Sequence, residues 1–180
     1  MNDGLIPSRY AKALYKYAKE QKASDEVYQQ MKCLEGSFVA AASLQAAVDN
    51  PYLAAGQKQR LLLTASSASQ EGCFDRFVKL LIKNNRVNFV RGIALAYQDI
   101  YRKENGIVRV VITTAAELPQ TDVDKIKAIV VKAESGKQLE FDNVVNPDII
   151  GGFTIAVESM LLDASVKNEL KKLRLQLLSK

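Results

Sequence analysis

A chain of 180 residues, 48% hydrophobic and 25% charged, carries enough apolar material for one or two globular cores, which excludes disordered and fibrous classes. It contains no histidine, which excludes Ser-His-Asp and Cys-His nucleophilic sites and the common zinc constellations, and leaves only carboxylates, lysine or tyrosine for chemistry. The formal net charge of +5 is unevenly placed: residues 1–105 hold 15 Lys+Arg against 10 Asp+Glu, whereas residues 106–180 hold 10 against 10.

The first part reads as helices throughout. Pro7 and Ser8 suit a helix start, and Tyr10, Ala13, Leu14 and Tyr17 then fall on one stripe. Ser24 is expected to cap a second helix whose Val27, Met31, Leu34, Phe38 and Ala41 alternate steps of four and three. A short third helix over Ser43 to Val48 stops at Asn50-Pro51, and a fourth carries Leu61, Leu62, Ala65 and Ala68 before Gly72. The fifth shows Phe74, Phe77, Val78 and Leu81; the sixth, after Asn84-Asn85, shows Phe89, Ile93, Ala96, Tyr97 and Ile100. Short connections between six helices imply a bundle.

At Asn105-Gly106, a helix-stopping pair, the composition shifts, and all seven tyrosines and both cysteines lie before it. The expected domains are therefore 1–105 and 106–180. Ile107 to Thr114 is β-branched and reads as a buried strand. Thr121-x-x-Asp124 has the form of a capping box, opening a helix with Val123, Ile126, Val130 and Ala133 inward. Gln138 to Val145 alternates as a second strand, Asn146-Pro147-Asp148 turns the chain, and Phe153, Ile155 and Val157 mark a third. A last helix carries an apolar seam of Val166, Leu170, Leu173 and Leu177. The expected fold is mainly α: a six-helix N-terminal bundle followed by a small α+β C-terminal domain, with no internal repeat.

No apolar run approaches the roughly 20 residues that cross a bilayer, and the first ten residues lack the pattern of a signal peptide, so a protein kept in the cytoplasm is expected. In that compartment Cys33 and Cys73 read as reduced, buried structural thiols. Gly151-Gly152 fits neither common phosphate-loop pattern and leads into a strand rather than a helix, so it reads as a turn or bulge where backbones approach closely. Asp163 and Ser165 stand before the last helix, where short polar side chains cap unpaired N–H groups. Tyr15 with Lys19, and Tyr28 with Lys32, have a dehydrogenase-like spacing but no dinucleotide-binding unit around them, and read as solvated helical pairs. No cofactor, metal or catalytic residue is expected, so the chain reads as a non-enzyme. The alternative class is a small basic nucleic-acid-binding protein, but the cations are spread over all the long helices and form no recognition motif.

The first helix offers more. Tyr10, Ala13 and Tyr17 lie on one side and Ala11, Leu14 and Ala18 on an adjoining one, an apolar arc wider than one core requires. Small alanines between tyrosines admit another helix closely, yet the same residues could all be bundle core, and periodicity leaves both readings open.

RYAKALYKYA at 9–18, LLIKNNRVNFV at 80–90 and above all IIGGFTIAVESMLLDASVKNELKKLRLQL at 149–177 resemble, in order over nearly the whole chain, the delta subunit of bacterial F-type ATP synthases. Its mitochondrial counterpart is the oligomycin sensitivity-conferring protein. Glu158-Ser159 stands where that family often has glycine and aspartate. The resemblance implies a non-catalytic stator that joins the catalytic head to the peripheral stalk and so couples proton-driven rotation to ATP synthesis. It further implies that the first domain receives the N-terminal helix of an alpha subunit between its first and fifth helices, here through Tyr10, Ala13, Leu14 and Tyr17 with Phe77, Leu80 and Leu81. The second domain would hold the end of the b subunits. No nucleic acid is implied, and the membrane, on the cytoplasmic face of a bacterial inner membrane, would be met only through the complex.

Overall fold

The structure, a computed structural model, describes residues 4–69, 71–117, 119–133, 136, 138–157 and 160–178. The chain divides into two units, Met1–Tyr101 and Arg102–Lys180. In the first, the α-helices are α1 (Leu5–Glu20), α2 (Ser24–Ala40), α3 (Ser43–Asp49), α4 (Ala55–Ser66), α5 (Cys73–Lys83) and α6 (Val90–Asn105), the last running on past the unit's end. The second holds β1 (Ile107–Thr114), α7 (Gln120–Ala133), β2 (Gln138–Val145), β3 (Gly152–Val157), β4 (Met160–Ser165) and α8 (Val166–Leu178). A helical N-terminal part followed by a small α+β part is thus the architecture, as expected.

α1 begins two residues ahead of Pro7, which is tolerated there because N–H groups of the first turn have no helical partner in any case. Its buried Ala11, Leu14, Tyr15 and Ala18 follow the i, i+3, i+4, i+7 rule for a helix face turned to a core. α2 buries Val27, Met31, Leu34 and Phe38 as expected, but Ser24 is its first residue rather than its cap, and its hydroxyl turns to Asp25 at 3.3 Å. Two stripes sit differently from their apolar patterns. α4 buries Leu62, Leu63 and Ser66 and ends at Ser67 (φ +53°), ahead of Gly72. α6 buries Ile93, Ala94, Tyr97, Gln98 and Tyr101, leaving Ala96 and Ile100 half-buried. A polar residue placed inward moves each stripe: Gln98 donates to Glu35 Oε2 at 2.7 Å and to the Met31 carbonyl at 3.4 Å, so α6 can bury it at low cost.

Tyr97 stands at the centre of the unit, fully buried. Its hydroxyl donates to the Ser24 carbonyl at 3.1 Å, its ring meets Tyr15 edge-on at 5.9 Å, and burial pushes its pKa well up, keeping it a neutral donor. Tyr28 stacks on Tyr101 at 4.1 Å. Lys19 sits over the Tyr15 ring at 5.9 Å, but Tyr15 and Tyr28 are both buried, which corrects the expectation of solvated pairs: each ring faces the core and packs on another tyrosine. The thiol expectation is corrected: Cys33 is exposed and Cys73 half-buried, both free, because each lies off the inward stripe of its helix.

In the second unit the sheet order is β2-β1-β3-β4, with β1 and β2 parallel and the other pairs antiparallel. A parallel neighbour needs a crossover, and α7 supplies it. Val110, Ile112 and Ile155 on the sheet pack with Ile126 and Val130 of α7. Val123 is buried as expected; the side chains of Thr121 and Ala133, and all of Glu158-Ser159, lie outside the described residues. β4 was not foreseen. It pairs with β3 from Gly152↔Ser165 to Val157↔Met160, so the segment between Val157 and the last helix holds an edge strand.

Gly152 has φ +73°, and a Cβ there would overlap the Ala164 carbonyl across the β3–β4 ladder. Gly151 is roomier, since its Cβ would meet only the Val166 side chain, the Cγ2 methyl at 3.0 Å and the Cβ at 3.7 Å. Gly152→Ala should therefore destabilise the protein by about 2 kcal/mol or more, and Gly151→Ala by clearly less, as read by urea denaturation followed by circular dichroism.

Asp75, in the first turn of α5 and nearly fully buried, ties that helix to α4. Burial pushes its carboxyl up, but hydrogen bonds from Lys79, Gln59 and the Glu71 N–H together outweigh this and hold it below the ordinary carboxylate value. A folded carboxyl that titrates below its unfolded counterpart contributes fully above about pH 4, and loses that contribution as pH falls through the folded value. Asp75→Asn should cost about 1–2 kcal/mol at pH 7, with the gap to wild type closing in denaturation curves taken at progressively more acid pH.

Candidate functional site

α5 turns Phe74, Val78 and Leu81 fully into the core, which leaves Phe77 and Leu80 on the flank that meets α1. α1 in turn commits Ala11, Leu14 and Ala18 inward and leaves Tyr10, Ala13 and Tyr17 at its margin. Between the two helices runs a groove of about 350 Å³, lined by Ala13, Leu14, Tyr17, Arg76, Phe77 and Leu80.

Five of the seven residues expected at this site line the groove. Leu14 and Phe77, almost fully covered, form its floor, while exposed Ala13 and Leu80 form its open lips. Tyr10 stands at one end, edge-on to Phe77 at 6.3 Å, its hydroxyl accepting from Asn84 Nδ2 at 3.2 Å. Leu81 is the correction: it has no exposed surface, because its position one residue past Leu80 turns it into the core. Ala13 is the smallest side chain of the lining and leaves the groove wide at that point. Arg76, which apolar periodicity could not single out, is the charged member of the lining. Its guanidinium donates to the Tyr17 hydroxyl at 3.0 Å, a bond that raises its pKa further and keeps it cationic.

A larger hollow of about 610 Å³, lined among others by Gln45, Asp49, Lys58 and Asn88, has mixed polar walls and gathers no nucleophile with a base. Size does not choose the site. Among the described residues no group of three or more acids or cysteines could hold a metal.

A second surface lies on the other unit. Met160, Leu161 and Leu162 of β4, and Leu170, Leu173 and Leu177 of α8, are each more than half exposed, and α8 buries none of its residues. The expected seam is thus real as a stripe but is not covered by the chain itself. Gly151, Gly152, Asp163 and Ser165 build its root. Ser165 Oγ accepts from the Asn168 N–H at 3.2 Å, capping α8, and Asp163 Oδ1 accepts from the Ser165 N–H at 3.0 Å. Those bonds from Ser165 hold the Asp163 carboxyl below its usual range. The three apolar residues of β4 gave no periodic signal, because an edge strand exposed on both faces has no alternation to show.

Comparison with known proteins matches residues 6–177 to the family model described as ATP synthase delta (OSCP) subunit. The ATP synthase subunit delta of Phocaeicola vulgatus is 36% identical over 98% of this chain and 96% of its own length. That of Azobacteroides pseudotrichonymphae is 32% identical over 98% of this chain and 100% of its own. A chain in a cryo-EM structure of the Toxoplasma gondii mitochondrial ATP synthase hexamer shares the fold, with a TM-score of 0.72 at 22% identity, covering 96% of this chain and 97% of that one.

Proposed function

Because this chain belongs to the ATP synthase delta (OSCP) subunit family, we propose that its α1–α5 groove holds the N-terminal helix of an alpha subunit and that β4 and α8 hold the end of the b subunits. As a family member it is a stator component of the F-type ATP synthase, associated with that complex and not one of its catalytic subunits. No described helix is long and apolar enough to cross a membrane. Attachment on the cytoplasmic face of a bacterial membrane, through the complex alone, accords with that.

The observation that carries the reading is the groove itself. An apolar furrow between two fixed helices, floored by Leu14 and Phe77 and edged by a residue as small as Ala13, has the shape that helix-in-groove recognition uses. The same logic applies to the second surface, where exposed leucines at helical spacing await cover. A stator subunit runs no reaction. Its task is to stay bound under torque, which calls for slow dissociation from desolvated apolar anchors.

Ala13→Trp fills the groove from an exposed position, so the protein should fold normally by circular dichroism. Its affinity for a peptide of the alpha-subunit N-terminal helix should nevertheless fall by about tenfold or more in titration calorimetry, and unchanged affinity would refute the groove assignment. Leu173→Asp changes a side chain that is 55% exposed, so the denaturation midpoint should hardly move while capture of the b subunits is lost. Retained capture would remove α8 from the stalk contact.

A further inference from the structure

The two walls of the groove follow one eight-residue pattern, identical at four of its eight positions. Arg9–Lys16 reads RYAKALYK and Arg76–Lys83 reads RFVKLLIK. In both, an arginine, an aromatic ring, a buried aliphatic residue, an exposed lysine, an exposed apolar residue, a buried leucine and a closing lysine recur at matching places. So short a likeness is local to the two groove walls and does not make a repeat of the chain as a whole.

The helices run in opposite directions here, since Tyr17 meets Arg76 while Tyr10 meets Asn84. One pattern on two antiparallel walls places the groove about a local pseudo-two-fold near Ala13 and Leu80. Arg9 and Lys16 stand four before and three after Ala13, and Arg76 and Lys83 stand likewise about Leu80, so each lip carries a row of exposed cations on its own stripe. Neither octet contains an acid. Of the nearby charges, Lys79 is engaged by Asp75 at 2.8 Å, Glu20 lies beyond the end of its octet, and Glu71, though outside the octet in sequence, is near enough to favour the Arg76 cation; the octets still leave a cationic excess along both lips. An apolar slot is thus framed along both sides by positive charge.

We infer that the groove, if it receives a helix as proposed above, selects one whose apolar ridge is bordered on both sides by carboxylates, with Arg76 pairing with one of them. The apolar floor would accept many amphipathic helices; the basic rows distinguish among them. A neutral or basic border would meet like charge or leave cations unmatched, whereas an acidic one gains attraction at long range and a hydrogen-bonded pair at contact. Arg76 suits that role because its bond to Tyr17 uses one of five donors and orients the guanidinium, leaving the remaining N–H groups for a carboxylate.

The test uses the full chain and two synthetic peptides: the alpha-subunit N-terminal helix of the same synthase, and that peptide with each Asp and Glu changed to Asn or Gln. By fluorescence anisotropy at low salt, the neutralised peptide should bind on the order of tenfold more weakly, mainly through slower association, with the difference shrinking as salt rises. Arg76→Gln should reproduce much of that loss with the native peptide, and Arg76→Lys should restore part of it. Equal binding of the two peptides, or wild-type behaviour of Arg76→Gln, while Ala13→Trp still blocks the native peptide, would overturn the acidic-border inference and leave the groove reading standing. If wild type fails to bind the native peptide, or Ala13→Trp changes nothing, the groove reading falls and takes this inference with it.

Discussion

A helix packed against one core covers a stripe of roughly 100° or a little more, and α1 carries apolar side chains over a wider arc than that. Ala11, Leu14, Tyr15 and Ala18 take the inner stripe, which fixes the rotation of α1 about its axis. Tyr10, Ala13 and Tyr17 are then held at its margin whatever else the unit does. α5 meets the same constraint from the other side. Once Phe74, Val78 and Leu81 are committed to the core, Phe77 and Leu80 must face α1. The groove is the space two such helices cannot fill when one contributes an alanine at the point of approach. Polar contacts at its ends, Arg76 to Tyr17 and Asn84 to Tyr10, hold the walls in register without closing it.

The second unit poses the opposite problem. Among the described residues its core cluster draws on the sheet strands β1, β2 and β3 and on α7, and includes none from β4 or α8. β4 is an edge strand bearing Met160, Leu161 and Leu162, all exposed, and such edges invite pairing or aggregation unless something covers them. α8 has 13 residues, a length at which an isolated helix is marginal, and it buries none of them. The Ser165 cap and the Gly151–Gly152 root secure only its start. Partner surface, as proposed above, would account for both features at once, since one occupant would cover the edge strand and the leucine stripe of α8.

What the sequence disclosed follows the same physics. Helices with a dominant apolar stripe, such as α2, were legible along it: Val27, Met31, Leu34 and Phe38 are buried as expected, whereas Ala41 falls past the helix end and is exposed, and Tyr28, read as solvated, is buried. The stripes of α4 and α6 were misplaced where Ser66 and Gln98 point inward, satisfied by hydrogen bonds that no hydropathy pattern records. β4 was missed because a strand exposed on both faces has no period. Among the groove residues, Leu80 and Leu81 are adjacent leucines of identical composition value, and only the packing of α5 separates lip from core. Arg76 was invisible for another reason: a lone charge on a helix reads as solvated until the residue across from it is known.

A joint that must not slip differs from a site that must turn over. Apolar anchors such as Leu14 and Phe77 gain most once water has been expelled, so they act on the rate of leaving, whereas exposed arginines and lysines act over a Debye length, on the rate of arrival. Separating the two functions within one groove, if it holds a helix as proposed, would let assembly be quick and selective without the hold depending on charges that salt can screen. A second attachment on the other unit, as proposed for β4 and α8, would strengthen the hold further. While one unit remains bound, the other is kept at high effective concentration and rebinds before the subunit is lost, so two contacts of moderate strength resist a sustained pull better than their separate affinities imply. That arithmetic needs no catalytic group, and it explains why a chain without histidine can serve an enzyme whose chemistry lies elsewhere.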